Sequence, residues 1–248
     1  MATLKRMIAN ALGRALDVSI VPKGAIAPLF EIEHLERFFK EFRVDCVFDV
    51  GANAGQYAEA LREFGYAGSI VSFEPIPALA AQLRDKARSD GRWFVEEVAL
   101  DETVRAVTFN VMKSSQFSSL KAPSEEETAR FAHQNVVAQG LDLTTALLAT
   151  YFARYREQLA FRRPFLKMDT QGNDLAVALG AGPHLAEFIG LQSELAIKRI
   201  YAGSEDYRAA LDFYQSAGFE LSAFVPNNYG HFPVLVEMDC IMFNRAAL

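Results

Sequence analysis

The 248-residue chain holds few of the residues that carry metal, redox or cross-linking chemistry: two cysteines, four histidines and one tryptophan. Cys46 and Cys240 both lie in apolar runs, "VDCVFDV" and "VLVEMDCIMF", that read as buried strands. Both are therefore expected as structural thiols rather than a disulfide or metal pair, and a reducing cytoplasm fits this usage. No stretch approaches the roughly 18 consecutive apolar residues of a membrane span. Basic residues are outnumbered, 25 Lys and Arg against 31 Asp and Glu, for a net charge of −6. Nucleic acid is a disfavoured partner for such a surface, because phosphate binding draws on clustered cations. Two nucleotide signatures are missing as well. No G-x-G-x-x-G offers a dinucleotide fingerprint, and no Gly-Lys-Ser/Thr offers a P-loop.

What is present is a hydrophobic fraction of 51%, enough for one sizeable core in a single domain with additions. At the N-terminus Leu4, Met7, Ile8, Ala11, Leu12 and Ala15 recur at helical spacing, with Lys5, Arg6 and Arg14 at polar positions. The segment lacks the continuous apolar core and cleavage site of a signal peptide. It reads as a helix packed on its own domain or on a partner subunit, or as a weak membrane-surface helix. A loop with Pro22, Gly24 and Pro28 follows, then a helix with an apolar stripe through Ile32, Leu35, Phe38 or Phe39, and Phe42.

From residue 44 strands alternate with helices. Strands are expected at 44–50, 69–74, 92–100, 164–169 and 187–195, and two more close the chain in "FELSAFV" and "VLVEMDCIMF". Helices are expected from Tyr57 to a stop at Gly65, from Pro77 to about Arg88, and over 204–219 with Gly218 as terminator. This alternation argues for a doubly wound α/β sheet. Residues 105–112 read as a strand returning antiparallel near Asp101 and Glu102. An insertion over about 113–163 interrupts the pattern: a polar loop or lid, a short strand at "VVA", and a helix over 141–159 with Asp142 as N-cap. Residues 1–43 are assigned to an N-terminal helical extension and 44–248 to the main domain.

The stretch "FDVGANAGQY" (48–57) reads as a buried strand end, an acid, a glycine turn and a helix start. Such turns let backbone approach a nucleotide. Here the spacing is G-x-N-x-G, with Asp49 two residues ahead of Gly51. A carboxylate there suits an ammonium group better than a diphosphate. Glu74 ends the second strand about 20 residues on, where α/β nucleotide proteins hydrogen-bond ribose hydroxyls. A nucleoside with a ribose, no phosphate and a cationic tail is implied, and S-adenosylmethionine has those features.

These segments resemble the FkbM family of class I S-adenosylmethionine-dependent methyltransferases over about residues 44–244. "VFDVGANAGQY" resembles the family's first motif, "SFEP" its ribose-binding acid, and "EVAL" (97–100) its adenine-flanking segment. "FLKMDTQGND" (165–174) resembles Lys-Ile-Asp-x-Glu-Gly-x-Glu, with Gln171 and Asp174 in place of the two Glu. "LQSEL", "YRAALDFYQSAGFEL" and "MDCIMFN" resemble C-terminal landmarks. The resemblance implies a mostly parallel seven-stranded sheet with an antiparallel last strand. It also implies methyl transfer to a hydroxyl of a small polyhydroxyl acceptor: a sugar, glycolipid or natural product.

The expected cofactor contacts are Asp49, Gly51, Asn53 and Gly55 around the methionine tail, Glu74 on the ribose, and Ile76 and Ala99 beside the adenine. Ser115 faces either ligand. Asp169 is the candidate base or acceptor-orienting residue, Glu194 a second carboxylate, and His231 an alternative catalytic residue beside Asn227, Asn228 and Tyr229, which suit a polyol acceptor. His133 and His184 read as surface-loop histidines. An ordinary Asp, with a pKa of about 3.9, is a weak base for a sugar hydroxyl. Desolvation or a divalent metal would therefore have to assist it. Lys167 reads as an edge lysine or the partner of an acid. Two other readings remain: a non-catalytic cofactor-binding or interaction protein on the same fold, and a nucleotide-dependent oxidoreductase. The N-terminal helices either pair across a homodimer or cover the active site.

Overall fold

The computed structural model describes residues 26–124, 136–226 and 233–247. The helix expected near the N-terminus lies outside the described residues, as do His133, Asn227, Asn228, Tyr229 and His231. In chain order the elements begin with α1 (Ile26–Glu41), β1 (Cys46–Val50), α2 (Gln56–Glu63), β2 (Ser69–Phe73), α3 (Pro77–Ala87) and β3 (Trp93–Glu96). Next come β4 (Ala106–Met112), β5 (Val137–Thr144), α4 (Leu148–Leu159), β6 (Pro164–Met168) and α5 (Asp174–Gly180). The described chain closes with β7 (Gly190–Ala196), α6 (Tyr207–Ser216), β8 (Phe219–Pro226) and β9 (Glu237–Asn244).

The main sheet has seven strands in the order β3-β2-β1-β6-β7-β9-β8. Pairings from β3 through β7 are parallel, whereas β9 runs antiparallel to both β7 and β8. The doubly wound sheet with an antiparallel last strand is thus present. Strand order reverses beside β1, so a crevice opens at the C-terminal ends of β1 and β6.

Strand alternation sorts the core into two faces. Phe48, Val50, Leu166, Met168 and Leu191 pack with Phe152, Val177 and Tyr214 from α4, α5 and α6. Val47, Phe165 and Ile241 pack with Phe38 and Phe39 of α1 and Leu61 of α2. Phe165 is fully buried, its ring 5.4 Å and 4.9 Å from those of Phe38 and Phe39. Truncating such a ring to Ala costs about 3–5 kcal/mol. On this second face Asp49 stands beside Lys167, and Lys167 beside Gln192. Polar side chains therefore continue the apolar rows where those strands reach the crevice.

Three expectations need correction. Residues 105–112 do not return to the main sheet; β4 pairs antiparallel with β5 in a separate two-stranded sheet. Asp142 caps no helix: it lies inside β5 and accepts a 2.7 Å hydrogen bond from Thr108. Polar residues alternating in "VAQGLDLT" follow an exposed strand, and α4 starts only at Leu148. The third strand stops at Glu96, and Val98–Leu100 becomes an irregular segment along the crevice. Cys46 and Cys240 are free and buried, as expected.

Candidate active site

A cavity of about 520 Å³ fills the crevice, running from the β1–α2 turn to β9 and α1. That size suits a drug-sized ligand, for which pockets span about 300–1,000 Å³.

At one end is the glycine turn. Gly51 has φ +79°, and a Cβ there would lie 1.9 Å from the Asp169 carbonyl oxygen, so only glycine lets β1 and β6 end this close. The turn's N–H groups point inward rather than toward a ligand. Gly51 and Ala52 donate to Phe73, Gly55 to Ala52, Asn53 to a Glu74 oxygen, and Ala54 to its neighbour's Asn53 side chain. An anion cradle is therefore absent from this turn, consistent with a ligand that carries no phosphate.

Two expected contacts move out of the lining. Asp49 is fully buried: it accepts from Ser72 at 3.2 Å and meets the Lys167 ammonium at 3.3 Å. The ammonium that Asp49 meets in the structure is that of Lys167. Burial raises the Asp49 carboxyl above its ordinary value, and Lys167 opposes that shift. Gly55 (φ +89°) is buried against Leu83 and Trp93. Its role is to start α2 against α3.

Glu74, Asn53, Ile76, Ala99 and Ser115 all line the cavity. Glu74 receives the backbone N–H groups of Asn53 and Ile76, one on each oxygen, both at 2.8 Å. Its remaining lone pairs can take ribose hydroxyls. Burial pushes its carboxyl up to about 7. The Asn53 amide donates to Ser115 at 3.2 Å, tying the turn to the segment after β4. Val98, Ala99 and Leu100 form an apolar slot with Ile76 and with Phe109 of β4. A nucleoside without phosphate fits this set of groups.

At the tips of β6 and β7 the chemistry changes. Gln171 (φ +55°) bridges two carboxylates, its Nε2 donating to Asp169 at 2.9 Å and to Glu194 at 2.7 Å. The Tyr201 hydroxyl donates to its Oε1 at 2.7 Å, which fixes the amide's orientation. Lys167 approaches Asp169 at 3.6 Å, lies 5.3 Å from the Tyr57 ring centre, and is raised above its ordinary value by its acidic neighbours. Asp174 does not line the cavity. It accepts from Thr170, Ser193 and the Glu194 N–H, fastening the β6–α5 loop to β7.

Further along, Gln192 and Glu194 on β7 and Glu237 and Asp239 on β9 add to this wall, and Glu31 of α1 faces them. Burial, and after it the nearest carboxyls (Glu237 for Glu194, Glu31 for Asp239), push both groups well above their ordinary values. Sequence reasoning missed Glu31, Gln192, Glu237 and Asp239. A signal existed in polar residues two apart inside the apolar runs "LQSEL" and "EMDCI". His184 lies outside the cavity, stacked 4.7 Å from Phe152 and 2.6 Å from Glu187. Among the described residues no group of three or more His, Cys, Asp or Glu is arranged to hold a metal ion. None of the described helices is long and apolar enough to cross a membrane.

Comparison with known proteins bears on this site. No curated protein matches the sequence. Among solved structures, the chain is similar to a protein assigned as an S-adenosylmethionine-dependent methyltransferase from Listeria monocytogenes. The TM-score is 0.50 at 7% identity, over 89% of this chain and 99% of that one. Magnesium protoporphyrin IX methyltransferase from Synechocystis, with bound S-adenosylmethionine, gives 0.45 at 9% identity over 91% and 86%. Fibrillarin from Aeropyrum pernix, with natively bound S-adenosyl-L-methionine, gives 0.42 at 12% over 80% and 66%. At these identities the likeness concerns the fold. The methyltransferase FkbM domain model matches residues 49–221, from the acid ahead of the glycine turn into β8. The chain belongs to the FkbM family of S-adenosylmethionine-dependent methyltransferases.

Proposed function

We propose that the protein methylates a hydroxyl of a small polyhydroxyl acceptor: a sugar, glycolipid or natural product. The observation that carries this reading is Asp169, whose carboxylate stands at the tip of β6, beside β1, in the same cavity as Glu74. Lys167 and Gln171 hold it in place, at 3.6 Å and 2.9 Å.

The cofactor's contribution is a methyl group on a sulfonium, already activated for displacement. The chain's task is alignment, which can supply up to roughly 7–11 kcal/mol of a barrier. Glu74 would hold the ribose, Ile76 and Ala99 would lie beside the adenine, and Asn53, Gly51 and Ser115 line the space between. The acceptor oxygen sheds a proton as it attacks. Asp169 accepts that proton, or the hydrogen bond that orients the hydroxyl, while Gln171 and Lys167 fix its carboxylate. Glu194, pushed toward its neutral form, stands beside Asp169 on the same wall, joined to it through Gln171. The acidic lining and the net charge of −6 disfavour phosphate-rich acceptors such as nucleic acid. Free, buried Cys46 and Cys240 support a cytoplasmic setting.

Calorimetric titration with S-adenosylmethionine, S-adenosylhomocysteine and NAD tests the cofactor side. Both adenosyl ligands are expected to bind and NAD is not. Asp169→Asn is expected to retain that binding and lose about 10²–10⁴-fold in turnover. Turnover near wild type would remove Asp169 from the acceptor role.

A further inference from the structure

We infer that the acceptor is a hydroxylated amine whose ammonium group is held by Glu31, Gln192 and Asp239. This rests on the methyl-transfer reading above and narrows its substrate class.

Gln192 is the starting point. Its side chain is almost wholly buried, 2% exposed, yet it lines the cavity. Its Nε2 donates to Glu31 at 2.7 Å, while its Oε1 is buried with no hydrogen-bond partner among the described residues. An unsatisfied buried carbonyl costs about 1–3 kcal/mol, so a donor arriving with a ligand relieves a standing deficit. The Tyr57 hydroxyl, also in the lining, is a second buried group without a partner among the described residues.

Charge decides which donor. The described lining contains one cation, Lys167, which is committed to Asp49 and Asp169 and lies beside the Tyr57 ring. Glu31 and Asp239 come from opposite sides, one from α1 and one from β9, close enough that Glu31 is a leading cause, after burial, of the upward push on Asp239. A neutral hydroxyl would satisfy Gln192 and leave the two carboxyls without a counter-charge. An anion would worsen that imbalance. An ammonium brings three N–H donors and a positive charge to a site that offers two carboxyls and a carbonyl oxygen.

The test uses the full chain saturated with S-adenosylhomocysteine, so a failure of cofactor binding is seen first and separately. Glucosamine, glucose and glucuronic acid then supply a positive, a neutral and a negative probe on one type of ring, titrated by ligand-observed NMR. Glucosamine is expected to bind at least tenfold tighter than glucose, with glucuronic acid weakest. The double variant Glu31→Gln/Asp239→Asn is expected to bring glucosamine and glucose within threefold while S-adenosylhomocysteine still binds. If the double variant loses cofactor binding, each single variant takes its place, with at least a threefold loss of preference expected. Equal affinity for glucosamine and glucose, a preference for glucuronic acid, or no binding of any probe to the cofactor-loaded protein would overturn the amine site. Methyl transfer would then stand without it. Failure to bind S-adenosylhomocysteine would instead bring down the methyl-transfer reading on which this rests.

Discussion

The two ends of the cavity are built on opposite principles. Around Gly51 and Glu74 the polar backbone is satisfied internally: each turn N–H has a partner, and both Glu74 oxygens carry one. Around β7, β9 and α1, carboxyls crowd one committed lysine, and the Gln192 carbonyl oxygen lacks a partner among the described residues. The first end is finished as a shape before a ligand arrives. The second is electrostatically incomplete. One end is suited to a single invariant ligand, and the other to a partner that must bring charge or donors with it.

The sharpest way to break this contrast is at the finished end. Gly51→Ala sets a Cβ 1.9 Å from the Asp169 carbonyl oxygen at a positive φ, so β1 and β6 must part. A loss of more than about 3 kcal/mol in denaturant stability is expected, along with loss of S-adenosylhomocysteine binding. Retention of both would show that the turn is looser than its geometry.

Glu74 offers a titration of the same end. Its folded value is raised from 4.5 to about 7. Its contribution to stability is therefore full below about pH 4.5 and lost as pH rises through about 7, a change of roughly 3 kcal/mol. Ribose hydroxyls donate to the ionised form, so cofactor affinity runs the other way and rises with pH through about 7. Calorimetry between pH 5.5 and 8.5 checks this, and in Glu74→Gln both trends are expected to flatten.

A smaller effect is expected at the seam between the ends. Gln171→Glu replaces the shared donor of Asp169 and Glu194 with a third carboxyl. A stability loss of about 2 kcal/mol is expected at pH 8, and less at pH 5, where a proton restores the donor. An equal loss at both values would mean that the amide acts through its shape alone.

Local pattern carried the strand–helix order, the glycine turn, and the placing of Glu74 and Asp169 at the tips of the two strands that flank β1. Pairing across the sheet was beyond it. Asp49 reads as a carboxylate beside a ligand's ammonium group, and nothing in its own segment announces Lys167, more than a hundred residues away, which the β1–β6 register brings alongside it. Glu31 lies on a helix and Asp239 in an otherwise apolar strand, with no local mark to join them, and only tertiary packing turns them toward one cavity. Asp142 failed for a different reason. A cap residue ahead of an apolar run is also what an exposed strand leading into a helix looks like.

The place of β9 has a consequence for the order in which the molecule assembles. It follows β8 in the chain but lies between β7 and β8 in the sheet. During synthesis, where N-terminal parts fold first, β7 has no neighbour on that side and β8 has none at all until residues 237–244 emerge. The Gly51 turn and Glu74 are joined long before Asp239 reaches Glu31. The nascent chain can thus shape the β1 end of the cavity while the β9 end is still unmade, and the cavity is closed only when the last strand slides home.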